Sequence, residues 1–302
     1  MRFILSRKGF DSQFGGTPSP VFKTKGYPLY DYMYSIPIPE RDSKGNNFDL
    51  KCTPPKTPKN FPVNVRYFHL DPDIRPELHY KLPQNWVPIL GQSGADASHL
   101  ANNNVTIGDI FLFFGLFNDA KWDDNREQWV FKEDKPYHAI WGYMQIAKIL
   151  KGNKLRNKMN DYNWHPHCRT NYTNSNNTLY IGSTGNLKIE NSELDKYSSY
   201  GIFKYNDKLR LTKMKPNKSF CRTKWSEDCL PWLDKEERQP HMSYHSPSSF
   251  FKEDKFFQAA SKGQEFVTDD LELQDGILKK SLEWFGELLK FRVDVFPVST
   301  LQ

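Results

Sequence analysis

The sequence predicts an α+β protein, one domain over residues 1–302, with a mixed β-sheet, long irregular loops and a C-terminal amphipathic helix. Three observations carry that expectation. Residues 107–114 (IGDIFLFF) and 139–146 (AIWGYMQI) are apolar runs with the length and aromatic content of strands buried on both faces. Short apolar segments at the two ends of the chain, Phe3-Ile4-Leu5 and Gly263-Gln264-Glu265-Phe266-Val267, read as further strands. Residues 270–291 set Leu271, Leu278, Leu282, Phe285, Leu288 and Leu289 on one stripe at helical spacing.

The other elements follow in order. Phe3-Ile4-Leu5 is a short buried strand that ends in Ser6-Arg7-Lys8-Gly9. Gly15-Gly16 and Pro18-Ser19-Pro20 demand a loop. Tyr34-Ser35-Ile36-Pro37-Ile38-Pro39 is extended, and its prolines confine it to a sheet edge. Residues 40–60 form a surface loop, and 63–70 alternate as a half-buried strand does. Residues 93–103 form a short helix carrying Asp96 and His99. A polar excursion with Trp122, Asp123, Asp124 and Trp129 separates the two apolar runs. Residues 151–177, dense in Asn and Lys and without periodicity, form a loop. Residues 178–183 and 201–205 add two strands, and 214–249 are irregular. Thr268-Asp269-Asp270 caps the final helix, with Glu272 placed three after Asp269 as in a capping box.

Composition narrows the classes of function. Lys and Arg number 42 against 36 Asp and Glu, and the surplus of six permits a polyanionic partner without demanding one. Aromatics reach 15%, more than a core of this size needs; beside cations, exposed ones stack bases while the cations hold phosphates. Cysteines at 52, 168, 221 and 229 have no CxxC spacing, which argues against a disulfide scaffold or zinc ribbon. No run of about 18 apolar residues exists to span a membrane. The opening residues are too polar for a signal-peptide core, so a cytoplasmic protein is expected.

Four constellations carry chemistry. Ser6-Arg7-Lys8-Gly9-Phe10-Asp11-Ser12 sets two cations and two hydroxyls at a strand end, where ligands commonly bind. Arg grips an oxyanion bidentately and Lys adds a point charge. The GxxxxGK[ST] order of a P-loop is absent. His69-Leu70-Asp71-Pro72-Asp73 would set positions 69, 71 and 73 on one face of a continuous strand, a set suited to a divalent ion or to proton transfer. The bland alternative is an Asp-Pro-Asp turn with His69 half-buried. His99, His138, His165, His167 and His245 are scattered; His165-Pro166-His167 is a weak metal signal and Ser243-Tyr244-His245 is unspecific. Gly263-Gln264-Glu265 holds a carboxylate on a late strand, where Glu serves as a general base or binds ribose. Arg7, Ser183-Thr184 and Glu265 also occur in an order compatible with NAD-dependent ADP-ribosyl transferases.

These segments join Ile36-Pro37-Ile38-Pro39, the Gly108-Asp109 strand opening, His138 and Gly142-Tyr143 in one order along residues 1–285. In that order they resemble the nucleotide modification associated domain 3 family of bacteria and phages. The resemblance implies a substrate class, DNA bases or nucleotides that undergo hypermodification, and no particular reaction. Residues 40–60 and 151–163 look like insertions, and nothing functional is carried onto them. A shorter similarity, over residues 107–146, is to PUA-like modules such as ASCH and EVE domains, which bind nucleic acids or modified bases in a pocket.

The expected function is therefore modification of a nucleobase or nucleotide by a transferase or hydrolase, with DNA or a nucleotide as partner. Arg7 and Lys8 would hold a phosphate, and Asp11 and Ser12 would orient sugar or phosphate oxygens. Ser6, His245 and Gln264 would complete the binding set. His69, Asp71, His165 and His167 would do acid–base work or hold a divalent metal ion, and Glu265 would act as a base or bind ribose. A duplex target would require base flipping. Three other readings stand beside it: a non-catalytic reader of modified bases stacking on Phe111, Trp141 or Tyr143, a metal-dependent nuclease, and an ADP-ribosyl-type transferase.

Overall fold

The computed structural model describes residues 1–11, 15–22, 31–38, 68–79, 81–132, 135–168, 176–190, 192–213, 221–251, 255–261, 263–274 and 276–293. Its elements are β1 (Phe3–Arg7), β2 (Ser19–Phe22), β3 (Tyr32–Met33), β4 (Ile89–Gln92), α1 (Gly94–Asn102), β5 (Ile110–Asp123), β6 (Gln128–Phe131), β7 (Tyr137–Gln145), β8 (Lys148–Lys151), α2 (Gly152–Arg156), β9 (Thr178–Ile181), β10 (Tyr200–Ile202), β11 (Lys224–Ser226), β12 (Phe250–Phe251), β13 (Phe256–Gln258), β14 (Glu265–Val267) and α3 (Ile277–Leu289), with short 3-10 turns between them.

β5 is the spine because its first eight residues carry no polar side chain and are all buried. β1 pairs parallel with it over Ile110 to Phe114, and β2 pairs parallel over Phe117 to Ala120. β7 pairs antiparallel along its other edge. The resulting mixed sheet runs β10-β7-β5-β1-β14, with β2, β3 and β6 attached at the far end of β5. Two three-stranded sheets, β4-β9-β8 and β11-β13-β12, complete the α+β architecture that the sequence predicts.

Aromatic rings fill both sides of the main sheet. On one side Phe3 stacks on Trp232 at 5.4 Å and meets Phe285 of α3 at 5.5 Å, while Phe114 packs edge-on against Trp225 at 5.5 Å. On the other side Phe111 meets Tyr180 of β9 at 5.3 Å and Phe113 lies 5.6 Å from Trp141. Such pairs add about 0.5–1.5 kcal/mol each beyond their burial. Many of the described aromatics are thus core, and Phe111, Trp141 and Tyr143 are all inside it.

Several boundaries differ from the sequence reading. Ile107 to Asp109 form a turn, because Gly108 takes φ +94° and Asp109 turns its carboxylate onto the N–H groups of Arg2 and Thr106 at 2.7 and 2.8 Å. The polar excursion is mostly strand: β5 runs on to Asp123 and hairpins into β6, with Trp122 paired to Trp129. Ser19 and Pro20 lie in β2; proline already has a strand-like φ, and the Pro20 carbonyl accepts from Tyr34 N at 3.0 Å. The Asn- and Lys-rich stretch holds α2 and two 3-10 turns. The final helix begins at Ile277, since Gly276 at φ +69° breaks the stripe. Asp270 rather than Asp269 caps the short turn before it. The loop over 40–60 and residues 63–67 of the expected strand lie outside the described residues. Among those described, no helix is long and apolar enough to cross a membrane.

Gly115 sits where β5 passes the end of β1. A side-chain carbon there would lie 2.7 Å from the Lys8 carbonyl oxygen. Gly115→Ala is therefore expected to lower unfolding free energy by about 1–3 kcal/mol, the usual cost of overpacking, as read from urea midpoints. An unchanged midpoint would show that β1 and β5 can part at no cost.

Candidate functional site

Side chains alternate along β1, and Lys8 N still bonds Phe114 O at 2.8 Å beyond the strand end. Ser6 and Lys8 therefore leave one face of the sheet and Arg7 the other. β14 pairs antiparallel with β1 and sets Glu265 directly opposite Ser6, on the Lys8 face. Ser6 Oγ donates to Glu265 Oε1 at 3.2 Å, and the Gln92 side-chain amide of β4 donates to the same oxygen. Lys8 Nζ lies 3.6 Å from Glu265 Oε1 and 3.7 Å from Asp71 Oδ2, between two buried carboxylates. Glu265 Oε2 is buried with no hydrogen-bond partner among the described residues.

Asp71 is held from three directions. Gly91 N donates to its Oδ1 at 2.7 Å. His165 Nε2 lies 3.3 Å from Oδ1, and His167 Nε2 lies 3.9 Å from Oδ2. β4 thus serves both carboxylates, with the backbone of Gly91 on Asp71 and the side chain of Gln92 on Glu265. Position 91 has to be glycine, because a side-chain carbon would fall 2.3 Å from the His167 ring. His69, partly exposed, brings its ring to 5.4 Å from that of His167. One donor atom from each of His69, Asp71 and His167 lies within 4.8 Å of the other two, a spacing at which such residues hold metal ions.

Burial pushes the Glu265 carboxyl up to about 7, against the pull of Lys8 and with Asp96 and Asp71 adding to the rise. Asp71 is held well below the usual carboxylate range: burial disfavours its charge, but Lys8, His165 and His167 outweigh that. Loss of water, only partly offset by Asp71, pushes His69 down to about 3 and His167 down to about 4. At neutral pH the centre holds an ionised Asp71, neutral rings at His69 and His167, and a Glu265 poised between its charge states. A carboxyl titrating near neutrality can both take and give a proton.

Other residues named from the sequence stand apart. The Arg7 guanidinium donates to the carbonyls of Ala260 at 3.1 Å and Ser261 at 3.2 Å, over the Phe114 and Phe266 rings. His245 donates from Nδ1 to Ser243 O at 2.7 Å and accepts Ala260 N at Nε2 at 3.0 Å, and burial pushes it down to about 4. Both lie on the Phe266 side of the sheet, away from Lys8. Gln264 offers its backbone carbonyl to Arg7 N at 2.8 Å. Asp11 closes a backbone bridge with Gly15, and Ser12 lies outside the described residues. Asp73 is not on a common face with Asp71: the chain turns through a cis Asp71-Pro72 bond, and Asp73 accepts from Trp86 Nε1 at 3.1 Å and pairs with His79 at 2.9 Å. His138 accepts from Trp225 Nε1 at 3.0 Å inside the core. Ser183 accepts from Gly185 N at 3.0 Å in a turn.

Gly91, Gln92 and Asn177, whose Oδ1 lies 2.9 Å from His167 Nδ1, belong to the site and carry no local signature. Only the apolar Ile89-Leu90 just before Gly91-Gln92 marks a strand there. At the sheet edge beside β14, Ser243 pairs with Val267, and Tyr244, 54% exposed at φ +64°, stacks on His99 at 4.4 Å.

The family described as nucleotide modification associated domain 3 matches residues 2–269, which include every residue of this centre. No curated protein and no solved structure matches the chain.

The Glu265 shift has a thermodynamic consequence. Between its ordinary value of 4.5 and about 7, the folded protein keeps a proton that the unfolded chain has released. This residue's contribution to stability therefore falls as pH rises through that window. Raising the pH from about 5 to about 8 should cost wild type on the order of 3 kcal/mol more than Glu265→Gln, read from urea unfolding of both. Parallel pH profiles would place the carboxyl at its ordinary value.

Proposed function

Because the chain belongs to the nucleotide modification associated domain 3 family, we propose that it is an enzyme that modifies a nucleobase, in DNA or in a free nucleotide, with Glu265 as its proton-transfer group. The observation that carries this reading is a buried carboxyl, pushed up to about 7, whose Oε1 lies 3.6 Å from the Lys8 ammonium and whose Oε2 is left unbonded. A buried acceptor without a partner costs about 1–3 kcal/mol, which a reacting group can recover when substrate arrives. Ser6 and Gln92 fix Oε1, so the free oxygen keeps one direction.

Lys8 supplies the positive charge for a phosphate or for negative charge that develops on a base. Asp71, backed by His165 and the Gly91 N–H, keeps that ammonium in place. Tyr244 is the aromatic face that suits a base: it is exposed, stacked on His99 and held in a backbone conformation uncommon for a side chain of its size. The finer assignment, a step in DNA hypermodification, rests on the family and on this centre together.

Nucleosides from cells expressing the chain, hydrolysed and analysed by mass spectrometry, should contain a mass shift that is absent with folded Glu265→Gln. Lys8→Met should abolish it as well. Tyr244→Ala should raise the apparent KM roughly tenfold while the protein stays folded, as for loss of one base stack worth about 1–3 kcal/mol. Tight binding of an already modified nucleoside with no product ever formed would replace the enzyme by a reader. Strand cleavage without a new nucleoside would replace it by a nuclease.

A further inference from the structure

The two histidines of His165-Pro166-His167 present opposite chemistry to Asp71, and their hydrogen bonds say which does what. The Asn177 amide is oriented by its Nδ2, which donates to the His167 carbonyl at 2.7 Å. Its Oδ1 is left to accept from His167 Nδ1 at 2.9 Å. A neutral ring that donates from Nδ1 carries a lone pair on Nε2. That nitrogen belongs to a buried ring and lies 3.9 Å from Asp71 Oδ2, so a ring nitrogen and a carboxylate oxygen face each other. His165 is the reverse case: its Nδ1 accepts the His167 backbone N–H at 3.3 Å, which puts its proton on Nε2, 3.3 Å from Asp71 Oδ1. The two rings thus present different nitrogens to Asp71, with His165 Nε2 3.3 Å from Oδ1 and His167 Nε2 3.9 Å from Oδ2.

We propose that His69, Asp71 and His167 bind a divalent first-row transition-metal ion, with His165 and Asn177 as positioning residues. The three donor atoms lie within 4.8 Å of one another, and ligands about 2 Å from an ion need only a small inward rotation of a ring from that span. Two imidazoles and one carboxylate form a donor set for zinc or ferrous iron; magnesium and calcium take oxygen ligands instead. The supports that metal-binding residues require are present: an amide oxygen on the far nitrogen of His167, and the Gly91 N–H on the Asp71 oxygen nearer His165. Three protein ligands leave positions open for water or substrate. Lys8 competes for the same Asp71 oxygen, but Glu265 stands ready to hold its ammonium alone once the ion is bound. The proposal goes beyond the nucleobase reading and does not depend on it.

The test uses the whole chain, stripped with chelator and titrated separately with zinc, ferrous iron under anaerobic conditions, and magnesium. Calorimetry and elemental analysis should show one equivalent of zinc or iron bound saturably, and no magnesium. His69→Gln and His167→Gln should each weaken binding at least tenfold, and Asn177→Leu by about 10–100-fold. His245→Gln, a partly buried histidine outside the cluster, should bind as wild type does. X-ray absorption of the loaded protein should report two imidazoles in the coordination shell. Circular dichroism checks each fold; if His167→Gln unfolds, the partly exposed His69 decides. No saturable uptake of either transition ion, or uptake unchanged in both folded His69→Gln and Asn177→Leu, overturns the proposal. Metal retained in a Glu265→Gln protein that makes no product separates this outcome from failure of the catalytic reading.

Discussion

The Lys8 ammonium between Asp71 and Glu265 is the constraint around which this end of the molecule is arranged. Three ionisable groups drawn out of water would cost several kcal/mol each if left uncompensated. The surrounding chain supplies the compensation. β1 delivers Lys8 and Ser6, β14 delivers Glu265, and β4 sends the Gly91 N–H to one carboxylate and the Gln92 amide to the other. The compensation is unequal. Asp71 has a cation, a backbone donor and a histidine, and stays ionised; Glu265 shares the cation but keeps one bare oxygen. Two carboxylates that share one ammonium are thereby driven to opposite charge preferences, the separation that acid–base chemistry uses.

The sheet explains why only part of the expected constellation converges. Residue types alone set Arg7 and Lys8 together on one phosphate; alternation on β1 parts Ser6 and Lys8 from Arg7, and the face each takes depends on partners more than 100 residues away at β5 and 259 residues away at Glu265. Arg7 and His245 fall on the far face, where both terminal nitrogens of Arg7 donate to carbonyl oxygens and His245 bonds a carbonyl oxygen and a backbone N–H. The strands β1, β5, β7 and β14 and the helix α1 were legible because apolar runs and helical spacing are local signals. β2, the β5–β6 hairpin and the start of α3 were not, because proline, charged residues and a single glycine are overruled there by pairing or by backbone angle. The cluster of His69, Asp71 and His167 was visible as residue types. Its tautomers were not, since they follow from Asn177, a residue with no signature of its own.

The same geometry separates the two classes of aromatic residue. Among the described residues many large rings are packed in the core, so high aromatic content by itself says little about nucleic acid. Tyr244 differs because it is exposed, at an unusual φ, and seated on the edge of the strand that carries Glu265. Exposure and backbone conformation together single it out where composition does not.

β4 belongs to the small β4-β9-β8 sheet, yet its last two residues grip both carboxylates on the large sheet's side. The small sheet is therefore a lever with its fulcrum at Gly91. A displacement of that layer, from a repacked Leu150 or Leu179 in its own apolar cluster, would change the bonds to Asp71 and Glu265 together, because both donors sit on adjacent residues of one strand. Charge state at the centre is thus mechanically tied to the spacing of two layers, and a substitution remote from every polar group would be felt as a paired drift in the acidity of both.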